Sequence, residues 1–170
     1  VLPAPGRAGA PLSAGGGARG ANRNGHAGNG ERGKPVPPGS AGELRAFLEA
    51  RGCDTSLIER GLDGLIADWE RVADALERGY PLDTLDDYLN DMDARQLIHD
   101  ALAAIPAAAA AVGARLTSAD ERVRSKLEPR VHCLWGDRLA ASRGWSAARE
   151  WWYFMQPALP GPGLARDLGR

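Results

Sequence analysis

From Leu62 to Arg78 the large apolar residues recur at three- and four-residue steps, as Leu62, Leu65, Ile66, Trp69, Val72, Ala73 and Leu76. That spacing places them on one face of an α-helix. Asp63, Asp68, Glu70, Arg71, Asp74, Glu77 and Arg78 fall on the opposite side or its flanks, with Asp74 and Arg78 forming an acid-first i,i+4 pair. Gly79 suits the left-handed conformation that closes a helix, and Pro81 cannot continue one. Each large side chain of the apolar face contributes roughly 1.5–3 kcal/mol when buried, before chain entropy is subtracted, so this helix must pack on others.

The same reading extends in both directions. Ser40 and Glu43 have capping-box spacing ahead of a short helix with Leu44, Phe47 and Leu48 on its apolar face, closed at Arg51-Gly52. Asp54, Thr55 and Ser56 are alternative N-caps for the segment that follows, and Gly61 and Gly64 leave its join to the main helix open. Beyond Pro81, Asp83 or Thr84 caps a helix that buries Leu85, Tyr88, Leu89 and Met92. Asn90 to Asp93 is either a kink or a short break before a second apolar set, Leu97, Ile98, Ala101, Leu102 and Ile105. Pro106 fits the first turn of another helix, with Val112, Leu116, Ala119, Val123 and Leu127 on one face as far as Pro129, and Thr117 to Asp120 as its weak point. Past Pro129 the pattern degrades until the aromatic stretch Trp145 to Phe154, which holds five of the ten aromatic residues. Ser146 as N-cap and Pro157 as stop favour a short helix here over a strand.

Composition sets the limits of the domain. Residues 1–42 hold 12 of the 22 glycines and 6 of the 12 prolines, with few large apolar side chains, so they are expected to form a disordered leader. No apolar run of secretory-signal length follows Arg7, and the alanine-rich run from Ala101 to Ala114 is too short and weakly apolar for a membrane span. Residues 158–170 read as a flexible tail. The expected fold is all-α, a small bundle of four to six helices across residues 43–157. Cys53 and Cys133 form no CxxC pair and point to reduced thiols in a cytoplasmic protein, with a single disulfide between them as the alternative.

Charge is unevenly distributed, at +4 for residues 1–42, −9 for 43–100 and +4 for 101–170. An acidic middle beside a basic end predicts that the two pack on each other. Arg122, Arg124, Lys126 and Arg130 are interrupted by Glu121 and Glu128 and give no strong nucleic-acid pattern.

Four groups of residues carry candidate chemistry. Asp83, Asp86, Asp87 and Asp91, with Asp93 nearby, are spaced closely enough to hold Mg²⁺ or Mn²⁺ in a small metal-dependent hydrolase, although each also has a role in capping or dipole compensation. Cys53, His99, His132 and Cys133 are a four-ligand zinc set without the usual closely spaced pair. His132 and Cys133 also suggest a thiol nucleophile, with an aspartate orienting the histidine but without an accompanying oxyanion-hole pattern. Arg149, Trp151, Tyr153 and Phe154 form the best binding surface, because aromatic residues and arginine are enriched at protein interfaces; closing the bundle is the competing role for the same rings. The leading expectation is a non-catalytic interaction or regulatory module with no cofactor, whose partner is another protein or a second copy of the chain.

Overall fold

The computed structural model describes residues 38–80 and 84–169. The main helix, α2 (Thr55–Glu77), buries Leu62, Leu65, Ile66, Trp69, Val72, Ala73 and Leu76, the face that the periodicity predicts. It begins at Asp54, whose carboxylate accepts the Leu57 backbone N–H at 2.9 Å. Gly61 breaks the helical geometry within it, at φ 56° and ψ −147°, a conformation open to glycine and strained for other residues. Leu62 onward is therefore set at an angle to the first turns.

Around α2 lie α1 (Pro38–Ala50), α3 (Leu85–Ala104) and α4 (Pro106–Arg124). Helix α1 starts two residues before Ser40, which lies inside its first turn rather than at the cap. Most of the expected leader, 1–42, falls outside the described residues. Thr84 caps α3, accepting the Asp87 N–H at 3.2 Å and donating to the Asp87 carboxylate at 2.6 Å. Asn90 to Asp93 is continuous helix, neither kink nor break. Pro106 opens α4, which runs without interruption through Thr117 to Asp120.

The charge asymmetry is consumed between α2 and α4. Arg115 forks onto Glu70 at 2.9 and 3.0 Å and also reaches Asp63 at 3.0 Å. Arg122 forks onto Glu77 at 2.8 and 2.9 Å and touches Asp74. Asp74 thus pairs across the helices with Arg122, and not along its own helix with Arg78 as expected, because the neighbouring helix presents a guanidinium to it.

At the centre of the bundle is a buried ionic node. Asp120 of α4 accepts from Trp69 Nε1 of α2 at 2.8 Å and from Arg95 Nε and Nη2 of α3, each at 2.8 Å. The Arg95 guanidinium lies over the Trp152 ring, its Cζ 4.5 Å from the centroid, so the node also fixes the C-terminal aromatic segment.

That segment departs from the short α-helix expected between Ser146 and Met155. Residues Trp151–Phe154 form a single 3₁₀ turn that runs directly into strand β2 (Met155–Pro157). This strand pairs antiparallel with β1 (Leu127–Pro129), Leu127 opposite Pro157 and Pro129 opposite Met155. Ser146 starts only a turn: its backbone N–H bonds the buried Glu150 carboxylate at 2.8 Å and its carbonyl accepts the Glu150 N–H at 2.8 Å, after which the chain enters the 3₁₀ turn. Between the strands lies α5 (Asp137–Arg143), ended by Gly144 in the left-handed conformation at φ 68°.

Residues 158–170 are not a loose tail throughout. Helix α6 (Pro162–Asp167) buries Leu164, and Asp167 accepts the Leu85 N–H at 3.0 Å, satisfying one of the free donors at the start of α3. Pro162 at the first helical position suits a helix start as well as the loop that the Pro/Gly spacing suggested.

The central node gives a test of the fold. Asp120→Ala leaves the Arg95 guanidinium buried without its counter-ion, and urea unfolding is expected to report a loss of about 3–5 kcal/mol. Replacing both partners, as Arg95→Met with Asp120→Leu, is expected to recover much of it. A loss below about 1 kcal/mol in the single variant would show that the pair is solvated.

Candidate functional site

Along α3, Met92, Arg95 and Ile98 face the core. Residues Asp93, Gln96, Leu97 and Asp100, at i, i+3, i+4 and i+7, share a different face and line a groove of about 800 Å³. Its far wall is Trp135 with Leu139 and Arg143 of α5, and its floor is Trp145 and Tyr153. Arg51 and Cys53, from the α1–α2 connection, close one end.

Local sequence explains the aromatic positions. Gly144 reverses the chain after α5, and the Trp145 N–H bonds back to the Ala140 carbonyl at 2.9 Å. This brings the Trp145 ring over Tyr153, centroids 4.5 Å apart and 35° between planes. Leu134 donates its N–H to the Tyr153 carbonyl at 2.8 Å, which places Trp135 beside the turn. Trp135 keeps 39% of its surface exposed.

Asp93 is the most unusual group in the groove. Its Oδ1 accepts from the Tyr153 hydroxyl at 2.6 Å and from Trp135 Nε1 at 3.2 Å, whereas Oδ2 accepts nothing among the described residues. Burial raises its pKa above the ordinary aspartate value, against the lowering effect of those two donors. Burial also raises the Tyr153 pKa, and the Asp93 charge adds to that, so the phenol is a firm donor. Asp100, one end of the groove, is neutralised by Arg51 at 2.8 Å and accepts Gln96 Nε2 at 2.8 Å.

The groove involves few of the sequence-predicted binding residues. Trp151 and Tyr153 are buried and belong to the core, with Trp151 edge-on to Trp69 at 6.4 Å. Phe154 is half-buried, and exposed Arg149 donates to the Gly144 carbonyl at 2.6 Å. The four residues therefore do not form a continuous exposed surface; Tyr153 alone of them lines the groove. Trp135, Gln96, Leu97 and Arg143 were not singled out. The isolated Trp135 beside Gly136 was the available clue, a large aromatic ring outside any apolar periodicity.

The aspartate cluster is dispersed. Asp86 is exposed, Asp87 is engaged by Thr84, and Asp91 accepts the buried Tyr80 hydroxyl at 2.7 Å, while Asp83 lies outside the described residues. Among the described residues no three His, Cys, Asp or Glu side chains gather closely enough to share a metal ion, so Cys53, His99, His132 and Cys133 do not converge. Both cysteines are free, which corrects the disulfide alternative. Of the thiol-nucleophile pattern, the orienting aspartate is present, Asp137 at 2.5 Å from His132 Nδ1, but burial raises the pKa of the Cys133 thiol and makes it a poor nucleophile. The basic run is largely used internally: Arg122 pairs with α2, Arg124 lies 4.1 Å over Trp151, and Arg130 bonds Gln156.

Compared with protein-family models, curated proteins and solved structures, the chain has no significant match. No helix among the described residues is long and apolar enough to cross a membrane.

Asp93 makes a pH-dependent contribution that follows from its raised pKa. The folded state holds this proton more tightly than the unfolded chain, so the associated stability is fully present below the ordinary aspartate value near 3.9 and is lost as pH rises through the raised value. Asp93→Asn retains an oxygen for Tyr153 and Trp135 and removes the titration. The melting temperature of the native protein relative to this variant is expected to fall as pH increases from about 4 and then level off. A difference that stays constant with pH, or grows, would contradict the assignment.

Proposed function

We propose that this protein is a non-catalytic interaction module whose binding site is the groove between α3 and α5. The observation that carries the reading is a preformed concavity of about 800 Å³ in which three aromatic rings, Trp135, Trp145 and Tyr153, adjoin a carboxylate oxygen that has no donor among the described residues. A volume of this order suits a drug-sized ligand or a few residues of a peptide, and the lining mixes aromatic and aliphatic side chains with Arg51, Asp93, Gln96, Asp100 and Arg143. Two groups of the groove favour binding over turnover in this reading: Asp93 is held by two donors, and burial raises the pKa of the Cys53 thiol, leaving it a poor nucleophile. The partner in this reading is a protein, and the two free cysteines support work in a reducing, cytoplasmic compartment. The metal-dependent hydrolase is not carried forward, because Asp86, Asp87 and Asp91 are separately engaged or turned to solvent.

The test is selection of a random peptide display library on the full chain, with binders remeasured on two variants. Leu97→Glu places a charge in the groove, and Val131→Glu changes a residue that is 90% exposed and does not line it. Selected peptides are expected to bind the native protein and Val131→Glu alike, and to weaken about tenfold or more on Leu97→Glu with its melting temperature retained. Trp135→Ala serves as the second groove variant if Leu97→Glu unfolds. Binders indifferent to both groove variants, or no enrichment at all, would overturn the proposal.

A further inference from the structure

The groove has unused hydrogen-bond acceptors on its α3 wall. Asp93 Oδ2 is one. The second is Gln96 Oε1, which has no partner among the described residues and lies beneath the surface, so that it meets a ligand once the half-buried Gln96 side chain turns toward the groove. Its orientation follows from its neighbour: a carboxylate only accepts, so the Gln96 amide nitrogen must face Asp100, leaving the oxygen as the unbonded end. An acceptor buried without a donor is costly unless something supplies one.

Electrostatics points the same way. The α2 carboxylates Glu70 and Glu77 meet arginines of α4, whereas Asp91 and Asp93 of α3 are held by the neutral hydroxyls of Tyr80 and Tyr153. A hydroxyl fixes a carboxylate without cancelling its charge, so Asp93 brings an unpaired negative charge to the groove, where Arg51 offsets Asp100 and Arg143 is the other charge unpaired among the described residues. Trp135 and Trp145 line the same groove, and aromatic rings attract organic cations.

We infer that the groove recognises a basic side chain, lysine or arginine, of a partner peptide, with Asp93 Oδ2 and Gln96 Oε1 as acceptors and Trp135 and Trp145 as aromatic walls. This rests on the groove being the binding site and specifies what it selects. Arg143 lines the same groove with no carboxylate partner among the described residues. Its positive charge opposes an incoming cation, which makes its removal a test of sign.

The probes are the blocked tripeptides acetyl-Gly-Lys-Gly-amide and acetyl-Gly-Arg-Gly-amide, with norleucine and citrulline versions as neutral counterparts, titrated into the full chain. The readouts are the NMR signals of the Trp135 indole N–H and the Gln96 side-chain amide. At least one basic peptide is expected to give saturable shifts of both, with its neutral counterpart about tenfold weaker or more. Asp93→Asn should weaken the basic peptide by a similar factor, because Tyr153 and Trp135 hold the amide oxygen and turn a donor toward the ligand. Gln96→Met should also weaken it, and Arg143→Ala should leave it unchanged or tighten it. Equal binding of neutral and basic peptides, or none by either, would overturn the inference, as would a loss in Arg143→Ala that spares Asp93→Asn. Groove-directed display peptides without a basic residue would overturn it too, while leaving the groove itself as the binding site.

Discussion

Everything else in the bundle depends on the acceptance of three hydrogen bonds by one carboxylate. Asp120 receives Trp69 Nε1 and two nitrogens of Arg95, each at 2.8 Å, and so joins α4 to α2 and α3 at a single point. Removing a guanidinium and a carboxylate from water is costly, and the short fork geometry offsets that cost only when both partners are in place. The node is not fully satisfied. Arg95 Nη1 and Trp152 Nε1 are both buried without partners, so the arrangement sacrifices some stability relative to an apolar core. In return it restricts how the helices can be rotated, since an apolar contact can slide by a side chain and a two-nitrogen fork cannot.

That restriction reaches the groove through the geometry of α3. At 3.6 residues per turn, turning Arg95 toward Asp120 fixes where Asp93, Gln96 and Leu97 point. Arg95 also stacks on Trp152, whose neighbour Tyr153 holds Asp93 in the groove. The helix is thus positioned by its core face and by its groove face at once. Tyr88 adds a third tie to the same C-terminal segment, donating to the Met155 carbonyl at 3.2 Å. The short β1–β2 ribbon does little as a sheet. Its role is to deliver the 3₁₀ turn to α3 in one register, with Pro129 opposite Met155.

The face of α2 from Leu62 to Leu76 is legible residue by residue because its apolar stripe is unbroken and its stop is local in sequence. The turn at Trp151 is not, because four consecutive aromatic residues satisfy neither a helical nor a strand period, and the choice is made by distant partners: Arg95, Asp93 and the β1 strand. The central ion pair did leave a trace. Arg95 lies three residues after Met92 and three before Ile98, and Asp120 falls between Leu116 and Val123, so each charge interrupts an apolar stripe. Two such interruptions, on different helices and of opposite sign, are complementary. The groove was harder still, since its walls come from α3, α5 and the aromatic turn, and no local pattern records which exposed faces of separate elements will meet.

The two tyrosine–aspartate pairs show why the acidic middle of the chain has two different fates. On α2, carboxylates lie beside a helix that carries arginines, and ion pairs form wherever the helices touch. On α3, Asp91 and Asp93 lie beside phenols, and burial raises both their pKa values and those of the tyrosines. A phenol so shifted remains protonated, so it can only donate to the aspartate and never repels it as an anion. The bond anchors the carboxylate while leaving its charge unpaired. An arginine in the place of Tyr153 would anchor Asp93 equally well but would cancel the charge that Asp93 brings to the groove. Choice of a neutral donor over a cationic one therefore separates two jobs that an ion pair would merge, holding α3 in place and leaving one carboxylate oxygen available to a ligand.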